Sequence, residues 1–382
     1  MPAADVVEAV RAHLAGAGGE LSPHRVAEAL RASGRPVGDA LVLEVYEELR
    51  RDVVGAGPLE PLLRTPGVTD VIVNGSGEVY LDRGGGLERT EVTFSGDDAV
   101  RRLAQRLAAA AGRRLDDAAP FCDVRLRDGT RMHAVLAPLA RPGTSLCLRV
   151  PGRELYSLER LRTAGLFDLG VERLLHRIVA KRLAFLVTGG TGTGKTTVLA
   201  ALLSLVPQEE RIVVVEDSSE LRPAHPHVVG LEARPANLEG SGRVDVRTLV
   251  RQALRMRPDR LVVGEVRGAE VVDLLAALNT GHEGGAGTLH ANSAAAVPAR
   301  VEALALAAGL SRAAAHSQLA AALDVVLHLE RVDGVRRLSQ VAIPRRGADG
   351  LVELEPAVVL DSGGNTQEGP AFAALQNRLA LR

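Results

Sequence analysis

Residues 189–197 read Gly189-Gly190-Thr191-Gly192-Thr193-Gly194-Lys195-Thr196-Thr197 and fit the phosphate-binding pattern Gly-x-x-x-x-Gly-Lys-Thr without a mismatch. The glycines let the backbone curl until successive N–H groups point at phosphate oxygens. The Lys195 ammonium can then reach the β- and γ-phosphates of a nucleotide, and the Thr196 hydroxyl can bind Mg²⁺. This stretch therefore predicts a site for ATP and Mg²⁺.

The segments on both sides of the loop have the character that such a loop needs. Leu183–Val187 is a short apolar run that predicts a buried strand, and Thr196–Leu205 predicts a helix whose N-terminus faces the anion. A strand, this loop and a helix rarely follow one another by chance, even in a chain with 40 glycines. The sequence contains only two lysines, Lys181 and Lys195, and one stands where a compact ammonium is needed on a phosphate.

Strand and helix patterns alternate over residues 167–345, which predicts an α/β nucleotide core with a parallel sheet and helices on its faces. After the loop, strands are predicted at 211–215, 228–231, 261–263 and 325–329, and helices at 245–256, 269–278 and 298–306. The Gly-rich segment 281–290 is interpreted as a flexible loop.

A smaller α/β domain is predicted at residues 61–150. Its predicted strands are 68–73, 79–81, 91–94, 125–126, 131–136 and 145–150. One helix is predicted from Ser95, with Asp98 as its capping-box-like partner, to Gly112. Residues 1–60 predict a helical N-terminal extension with helices at 5–15, 23–32 and 39–54. Residues 151–166 are interpreted as a linker, and residues 346–382 as a loosely held C-terminal tail.

Composition narrows the classes of protein. A net charge of −1, five Phe, three Tyr and no Trp supply neither a long-range field nor stacking platforms for nucleic acid, so we expect no direct nucleic-acid binding. Cys122 and Cys147 do not form a Cys-x-x-Cys pair, which excludes a zinc ribbon. No apolar run approaches the roughly 18 residues of a membrane span. The first residues show no signal-peptide pattern, so we expect a cytoplasmic protein.

Two carboxylates follow predicted strands of the core. Glu216 comes directly after the strand at 212–215, and Glu265 follows the strand at 261–263. Open α/β sheets bind ligands at the carboxyl ends of their strands, where an acid can hold Mg²⁺ or its water shell. A single acid at such a place can instead cap the following helix. Two acids after separate strands favour the metal and water role.

Histidines and arginines supply further candidates. His282 and His290 frame the Gly-rich segment, and a histidine near a γ-phosphate can sense its presence. A metal site formed by His282, Glu283 and His290 is disfavoured because the segment is interpreted as flexible and has no cysteine nearby. The smaller domain carries four arginines along its predicted strands: Arg125, Arg127, Arg131 and Arg149. They form either a solvated face or arginine fingers for a γ-phosphate, and their spacing alone does not decide between the two.

Taken together, these motifs resemble those of secretion-superfamily ATPases, and most closely the CpaF/TadA-like branch that powers tight-adherence (Flp-type) pili and related conjugal transfer systems. The matching segments are the loop at 189–197, an Asp box at 211–217, a Walker B segment at 254–268 in which Glu265 replaces the usual Asp, a His box at 279–293, and residues 68–75 and 123–131 of the smaller domain. The resemblance covers about residues 55–345. The sequence has no tetracysteine zinc motif, which fits the tight-adherence branch.

The resemblance implies a RecA-like core, a hexameric ring, and ATP bound between the smaller domain and the core. It implies that Lys195 and Thr196 bind phosphate and Mg²⁺, and that Glu265 holds Mg²⁺ and its waters. Glu216 would orient the attacking water, while His290 and His282 would sense the γ-phosphate. Transition-state charge would come from Arg125, Arg131 and Arg149. The implied partner is an inner-membrane platform protein of a pilus or secretion system.

The core alone permits other classes of function. A RecA-like nucleic-acid motor linked to conjugal DNA transfer is the main alternative, and the net charge and the scarcity of aromatic residues disfavour it. A small-molecule phosphotransferase would need an acceptor pocket and a lid, for which the sequence shows no signature. A nucleotide-gated scaffold without turnover is disfavoured by the presence of both Glu216 and Glu265.

Overall fold

The structure is a computed structural model that describes residues 22–33, 38–53, 55–152, 156–234, 236, 241–332, 334–361 and 365–381, together with residues 6, 9, 10 and 13. The chain divides into two compact units, Met1–Arg153 and Glu154–Arg382. Each unit is described by itself below. Among the described residues, no helix is both long enough and apolar enough to cross a membrane.

The first unit begins with two helices that agree with the sequence prediction. Helix α1 is Pro23–Ala32, and helix α2 is Asp39–Val53. The Ser22 hydroxyl accepts a hydrogen bond from the Arg25 N–H, which caps the N-terminus of α1. Apolar residues of both helices, including Leu30 and Leu49, are buried in a cluster of their own. Of the helix predicted at 5–15, only residues 6, 9, 10 and 13 lie among the described residues.

The rest of the first unit is a six-stranded antiparallel sheet with helix α4 packed into its core. A 3₁₀ turn at Gly57–Leu59 and the short helix α3, Glu60–Leu63, precede the sheet. The strands are β1 Asp70–Asn74, β2 Val79–Asp82, β3 Leu87–Arg89, β4 Phe121–Arg125, β5 Arg131–Val135 and β6 Ser145–Arg149, in the order β3-β2-β1-β6-β5-β4. Helix α4 is Asp97–Ala110, and its apolar face shares one cluster with the sheet.

Two details of this unit were predicted wrongly. The third strand is Leu87–Arg89 rather than 91–94, because the Thr90 hydroxyl accepts a hydrogen bond from the Val92 N–H and the chain leaves the sheet there. Helix α4 starts at Asp97 after Gly96, not at Ser95. The Asp97 carboxylate accepts hydrogen bonds from the Thr144 N–H at 2.6 Å and the Thr144 hydroxyl at 2.9 Å, which ties the first turn to the sheet.

The second unit is built on a nine-stranded sheet in the order β15-β14-β13-β12-β7-β11-β10-β8-β9. From β12 to β9 all neighbouring strands are parallel, and β13, β14 and β15 extend the sheet in antiparallel pairs. The strands are β7 Phe185–Gly189, β8 Ile212–Glu216, β9 Val228–Glu232, β10 Arg260–Val266, β11 Ala286–His290, β12 Val325–Val332, β13 Val335–Arg346, β14 Val352–Leu360 and β15 Thr366–Glu368.

Helices cover both faces of this sheet. They are α5 Leu158–Thr163, α6 Leu169–Ala180, α7 Lys195–Leu203, α8 Val246–Ala253, α9 Glu270–Leu278, α10 Val297–Ala307, α11 Arg312–Ala322 and α12 Phe372–Leu381, with 3₁₀ turns at Leu254–Met256 and Ala294–Ala296. Along β7, Phe185 and Val187 enter one apolar cluster, while Leu186 enters the other. Burial on both faces explains the continuous apolar run from Leu183 to Val187. The predicted parallel sheet with helices on its faces is therefore confirmed.

Two predictions about flexible segments are wrong. The Gly-rich segment 281–290 contains β11, a central strand whose residues 286–289 are buried. Glycine is required there because a Cβ at Gly287 would come within 2.8 Å of the Val263 carbonyl oxygen. The segment after residue 346 is not loosely held, because β14 joins the sheet and Leu375 and Leu379 of α12 are buried in the core. Helix α5 lies inside the predicted linker; the other predicted domain boundaries stay predictions.

Candidate functional site

Four neighbouring parallel strands end at one edge of the large sheet and carry the candidate residues. Strands β7, β11, β10 and β8 lie side by side in that order. Gly189 ends β7 and is the register partner of His290, the last residue of β11. Glu265 is the penultimate residue of β10, and Glu216 ends β8. At about 4.8 Å per strand, the backbones of these residues span about 14 Å along the edge.

The Lys195 side chain is folded into the curl of the predicted phosphate loop. It is 8% exposed, and its Nζ donates hydrogen bonds to the carbonyl oxygens of Gly189 at 3.1 Å and Gly190 at 2.7 Å. Burial lowers the pKa of Lys195, and the negative charge of Glu265 opposes this effect. The ammonium is therefore a buried cation whose field reaches the neighbouring strand ends.

Two glycines of the loop occupy places that other residues would not tolerate. Gly189 has φ +146°, and a Cβ there would overlap the Leu329 carbonyl oxygen and come within 2.8 Å of the Thr193 hydroxyl. Gly194 has φ +95°, a left-handed conformation, and caps the N-terminus of α7. The chain thus turns from β7 into α7 with the amino end of that helix at the loop, where its unpaired N–H groups favour an anion.

The threonines of the loop occupy different positions. The Thr193 side chain is buried, and its hydroxyl donates to the Gly190 carbonyl oxygen at 3.0 Å, closing the curl. Thr191 is exposed at the surface of the loop. Thr196 and Thr197 are half-buried in the first turn of α7. Thr196 therefore follows Lys195 at the helix end, the position predicted for a ligand of Mg²⁺.

Glu265 lies between Arg267 and His290. Its Oε2 accepts a hydrogen bond from Arg267 Nη2 at 2.5 Å, and its Oε1 lies 2.9 Å from His290 Nε2. Burial is the main cause that lowers the pKa of His290; the charge of Lys195 lowers it further, and Glu265 opposes the shift. The imidazole is therefore mainly uncharged at neutral pH. Upstream in β10, the Gly264 carbonyl oxygen accepts a hydrogen bond from the Thr288 hydroxyl at 2.6 Å, which holds β10 against β11.

Glu216 is deeply buried and is held by its own loop. It is 5% exposed, and its Oε1 accepts hydrogen bonds from the Glu220 and Leu221 N–H groups, both at 2.9 Å. Its side chain lies against Gly264, where a Cβ would overlap it. Burial raises the pKa of Glu216, and the two N–H donors oppose the shift. Because burial disfavours the charged form, the Glu216 carboxylate is a stronger base than an exposed carboxylate, which is the property expected of a group that accepts a proton.

The residues predicted for Mg²⁺ fit that ion. Glu265 Oε1 is buried and accepts no well-formed hydrogen bond within the described part of the chain. A carboxylate oxygen with spare capacity, beside a phosphate-loop lysine, is a donor of the hard type that Mg²⁺ or one of its waters prefers. Among the described residues, no group of three or more His, Cys, Asp and Glu could hold a metal alone.

His282 does not lie with the other candidates. It precedes β11, whose first residue, Ala286, pairs with Phe185 at the start of β7. The phosphate loop follows the last residue of β7, so His282 is at the opposite edge of the same parallel sheet. Within one subunit the structure does not bring His282 together with His290, because a buried strand separates the two histidines; a role of His282 in sensing a γ-phosphate stays a prediction.

The three predicted arginines of the first unit form a row across its sheet. In register, Arg125 of β4 pairs with Arg131 of β5, and Arg131 pairs with Arg149 of β6. Residues opposite one another share a face of the sheet, and like charges placed so are unfavourable. Carboxylates offset part of this cost: Asp123 accepts from Arg131 at 3.1 Å, and Asp70 accepts from Arg149 at 3.0 Å. The fold thus concentrates positive charge along one line.

Comparison with known proteins agrees with this geometry. Residues 52–344 match the family described as type II/IV secretion system protein. The chain belongs to this family. It is 54% identical over 349 residues to a putative conjugal transfer protein of Mycobacterium tuberculosis, covering 90% of this chain and 99% of that protein. It is 35% identical over 260 residues to the type IV secretion system protein PtlH of Bordetella pertussis, covering 62% of this chain and 76% of that protein.

Among solved structures, the pilus retraction motor PilT with bound ADP has a TM-score of 0.52, with 20% identity and 87% of each chain covered. This likeness concerns the fold, and it confirms the expected α/β class with a RecA-like core in this secretion-system family member. The resemblance to the secretion superfamily is confirmed at the level of the family, while the tight-adherence branch stays a prediction.

Two site residues of this family member were not predicted from the sequence. Arg267 was part of the Walker B segment but was given no role, although it binds Glu265 directly. Arg336, on β13, donates from Nε to the Gly192 carbonyl oxygen of the loop at 2.9 Å. Its sequence signal is the Asp333-Gly334 turn dipeptide between Val332 and Val335, which indicates a hairpin after the last parallel strand.

Proposed function

We propose that this protein is an ATP hydrolase that powers a secretion, conjugal transfer or pilus system. The observation that carries the proposal is that the curled loop holding Lys195 and the Glu265–His290 pair lie at the ends of neighbouring parallel strands. A loop of this kind binds nucleotide, and turnover also needs an acid for Mg²⁺ and groups near the γ-phosphate. The family match and the likeness to PilT support the same activity.

Each residue at the strand ends has a separate task in this proposal. Lys195 leaves the Gly189 and Gly190 carbonyl oxygens to donate to phosphate oxygens, and the loop from Gly189 to Thr197 binds the phosphates through its N–H groups. Thr196 and Glu265 would hold Mg²⁺, Glu265 partly through water, and the ion would supply positive charge against the charge that develops on the phosphates. His290, mainly uncharged at neutral pH, senses the γ-phosphate through a hydrogen bond and passes its presence to Glu265.

Glu216 is the proposed group that orients the attacking water and accepts its proton. The raised pKa of its buried carboxyl suits that task, because the proton is held more tightly than by an exposed acid. The arginine row of Arg125, Arg131 and Arg149 is proposed to supply charge to the transition state. Charged groups carried on a separate unit can act within one subunit or across a subunit boundary, and we propose that the subunits form a closed ring, expected to be a hexamer.

We propose that the protein acts at the cytoplasmic face of the inner membrane, where an integral platform protein receives its motion. The M. tuberculosis relative is named for conjugal transfer and the Bordetella relative for type IV secretion, so both kinds of system are candidates. The tight-adherence (Flp) pilus branch is the finer assignment that the sequence motifs favour. Direct binding to nucleic acid is not expected at a net charge of −1.

The two lysines of the chain provide a matched test. Lys195→Ala is expected to lower Mg²⁺-dependent ATP hydrolysis by about a hundredfold or more, because it removes a preorganised charge aimed at the transferring phosphoryl group. Lys181, at the C-terminal cap of α6, is the control, and Lys181→Ala is expected to leave hydrolysis unchanged. The measurement is phosphate release by the purified full chain over a range of protein concentrations, with and without DNA.

The same measurement separates the proposal from its alternative. Specific activity that rises with protein concentration and ignores DNA supports an assembling secretion motor. Activity that is flat with concentration and requires DNA would favour the nucleic-acid motor linked to conjugal transfer. Hydrolysis that survives Lys195→Ala would show that the site is assigned to the wrong residues.

A further inference from the structure

The β12–β13 hairpin extends past the end of β7 and stands beside the phosphate loop. Pairing between β12 and β7 stops at Leu329 and Gly189, the residue where the loop begins. Pairing between β12 and β13 continues to Val332 and Val335. The hairpin therefore lies next to the loop. The Leu329 carbonyl oxygen occupies the space that a Cβ on Gly189 would need.

Arg336, on the β13 strand of this hairpin, contacts two points of the loop. Its Nε donates to the Gly192 carbonyl oxygen at 2.9 Å. Its Cδ lies 3.7 Å from the position that a Cβ on Gly194 would take, so the aliphatic stem packs over the turn that precedes Lys195. Among the described contacts, side chains donate to three carbonyl oxygens of the loop: Lys195 to those of Gly189 and Gly190, and Arg336, from outside the loop, to that of Gly192.

We propose that Arg336 is a positioning residue that presets the phosphate loop for nucleotide, an inference that rests on the proposed ATPase function. The peptide that joins Gly192 to Thr193 is planar and trans, so its C=O and its N–H point in opposite directions. Drawing the Gly192 oxygen outward to the hairpin turns the Thr193 N–H away from the hairpin. Arg336 thereby fixes the direction of a donor in a loop whose glycines would otherwise allow many orientations.

This role predicts which substitutions preserve function. Glutamine carries its Nε2 on Cδ, at the same place along the side chain as the Nε of arginine, so Arg336→Gln keeps the donor and removes the charge. Lysine keeps the charge and has no donor on Cδ. A contact that acts through the carbonyl is therefore restored by Gln and not by Lys, whereas a direct ionic contact with phosphate shows the reverse.

The test measures hydrolysis kinetics and binding of a fluorescent methylanthraniloyl-ADP probe by the full chain. Arg336→Ala is expected to raise the KM for ATP and the Kd for the probe by about three- to tenfold, as the loss of one hydrogen bond of ordinary net strength would. The kcat is expected to change by less than about twofold, since Arg336 acts on ground state and transition state alike. Arg336→Gln is expected to restore KM, and Arg336→Lys is not.

Arg337 provides the matched control on the same strand. Arg337 pairs with Glu330, and Arg336 pairs with Arg331. Because successive residues of a strand point to opposite faces of the sheet, Arg337 faces away from Arg336. Arg337→Ala is therefore expected to leave KM unchanged. Thermal unfolding without nucleotide is expected to be the same for both alanine variants. Equal KM for the two variants, restoration by Lys instead of Gln, or a lowered Tm for Arg336→Ala alone would each overturn the proposal. If the wild-type chain neither bound the probe nor hydrolysed ATP, the proposed function itself would fail.

Discussion

The two edges of the parallel sheet both contain buried charge, but they differ in how well that charge is satisfied. At the amino edge, Arg260 is 1% exposed and donates to Glu210 at 2.6 Å, to the Val179 carbonyl oxygen at 3.1 Å and to the Gly284 carbonyl oxygen at 3.4 Å. At the carboxyl edge, Lys195 bonds only carbonyl oxygens of its own loop among the described contacts, and Glu265 Oε1 accepts no well-formed hydrogen bond there.

Within one sheet, charged residues that stabilise the fold can therefore be distinguished from charged residues that are available to a ligand. A buried ion with a complete set of partners stabilises one packing arrangement, and its partners leave no capacity for a ligand. A buried ion with spare donors or acceptors costs stability and is retained where a ligand completes it. The buried His328 imidazole has polar neighbours on both ring nitrogens: Nδ1 lies 2.9 Å from the Thr188 hydroxyl and Nε2 lies 3.6 Å from the Glu330 carboxylate, while burial lowers the pKa of His328.

The largest expected effect is at the amino edge. Arg260→Ala is expected to lower the free energy of unfolding by about 3–5 kcal/mol, because it leaves Glu210 in a largely buried site without its main partner. Arg182 pairs with the same carboxylate at 3.2 Å but is 35% exposed, so Arg182→Ala is expected to cost at most about 1 kcal/mol. Urea denaturation followed by circular dichroism measures both. If the two variants lost similar free energies of unfolding, Arg260 would contribute no more to stability than the more exposed Arg182.

A smaller effect, with opposite signs for activity and stability, is expected at Glu216. Glu216→Gln keeps an oxygen for the Glu220 and Leu221 N–H groups but cannot take a proton from water, so kcat is expected to fall by about a hundredfold. Because burial raises the pKa of Glu216, the folded wild-type chain binds this proton more tightly than the unfolded chain. Wild-type stability therefore falls as pH rises from the ordinary carboxyl pKa through the raised one.

The Gln variant lacks that loss, so its advantage in stability over the wild type is expected to grow across this pH window and then level off. Denaturation midpoints at several pH values, together with kcat at pH 7, check both parts. A Gln variant that is fully active and less stable at every pH would assign Glu216 to structure alone.

The smallest effect is expected at His282. Since it lies at the amino edge, His282→Ala is expected to change the rate of ATP hydrolysis by less than about twofold, whereas His290→Ala is expected to lower it by about tenfold or more. Phosphate release by the two variants, measured side by side, gives the comparison. An equal loss in both would mean that His282 reaches a nucleotide held by another subunit.

The positions of the loop, Glu216 and Glu265 could be predicted because a complete motif and the carboxyl ends of apolar strands are local features of the sequence. The position of His282, away from the other candidate residues, has a physical cause that the sequence did not show. Seven residues separate the two histidines in the sequence, and four of these, together with His290, form β11, whose glycine-rich composition is typical of a loop. Glycine is unfavourable in an isolated strand, but here close packing against Val263 requires it.

Contacts between segments that are far apart in the sequence could not be predicted, because no local sequence pattern indicates them. Arg336 is more than a hundred residues from the loop it touches, and only the strand order places the two together. The arginine row is a similar case: pattern alone left a solvated face and a set of arginine fingers equally open, and pairing across three strands brought Arg125, Arg131 and Arg149 into one line.

The position of β7 between β11 and β12 has a consequence for synthesis of the chain. During translation the phosphate loop leaves the ribosome well before either neighbour of its strand, and β12 follows about 140 residues later, roughly 7–28 s at about 5–20 residues per second. For about the first 100 residues of that interval the strongly apolar β7 has neither flanking strand, and after β11 is made it still lacks β12. The nascent nucleotide core is therefore expected to be a client for chaperones that bind exposed strands until β12 arrives.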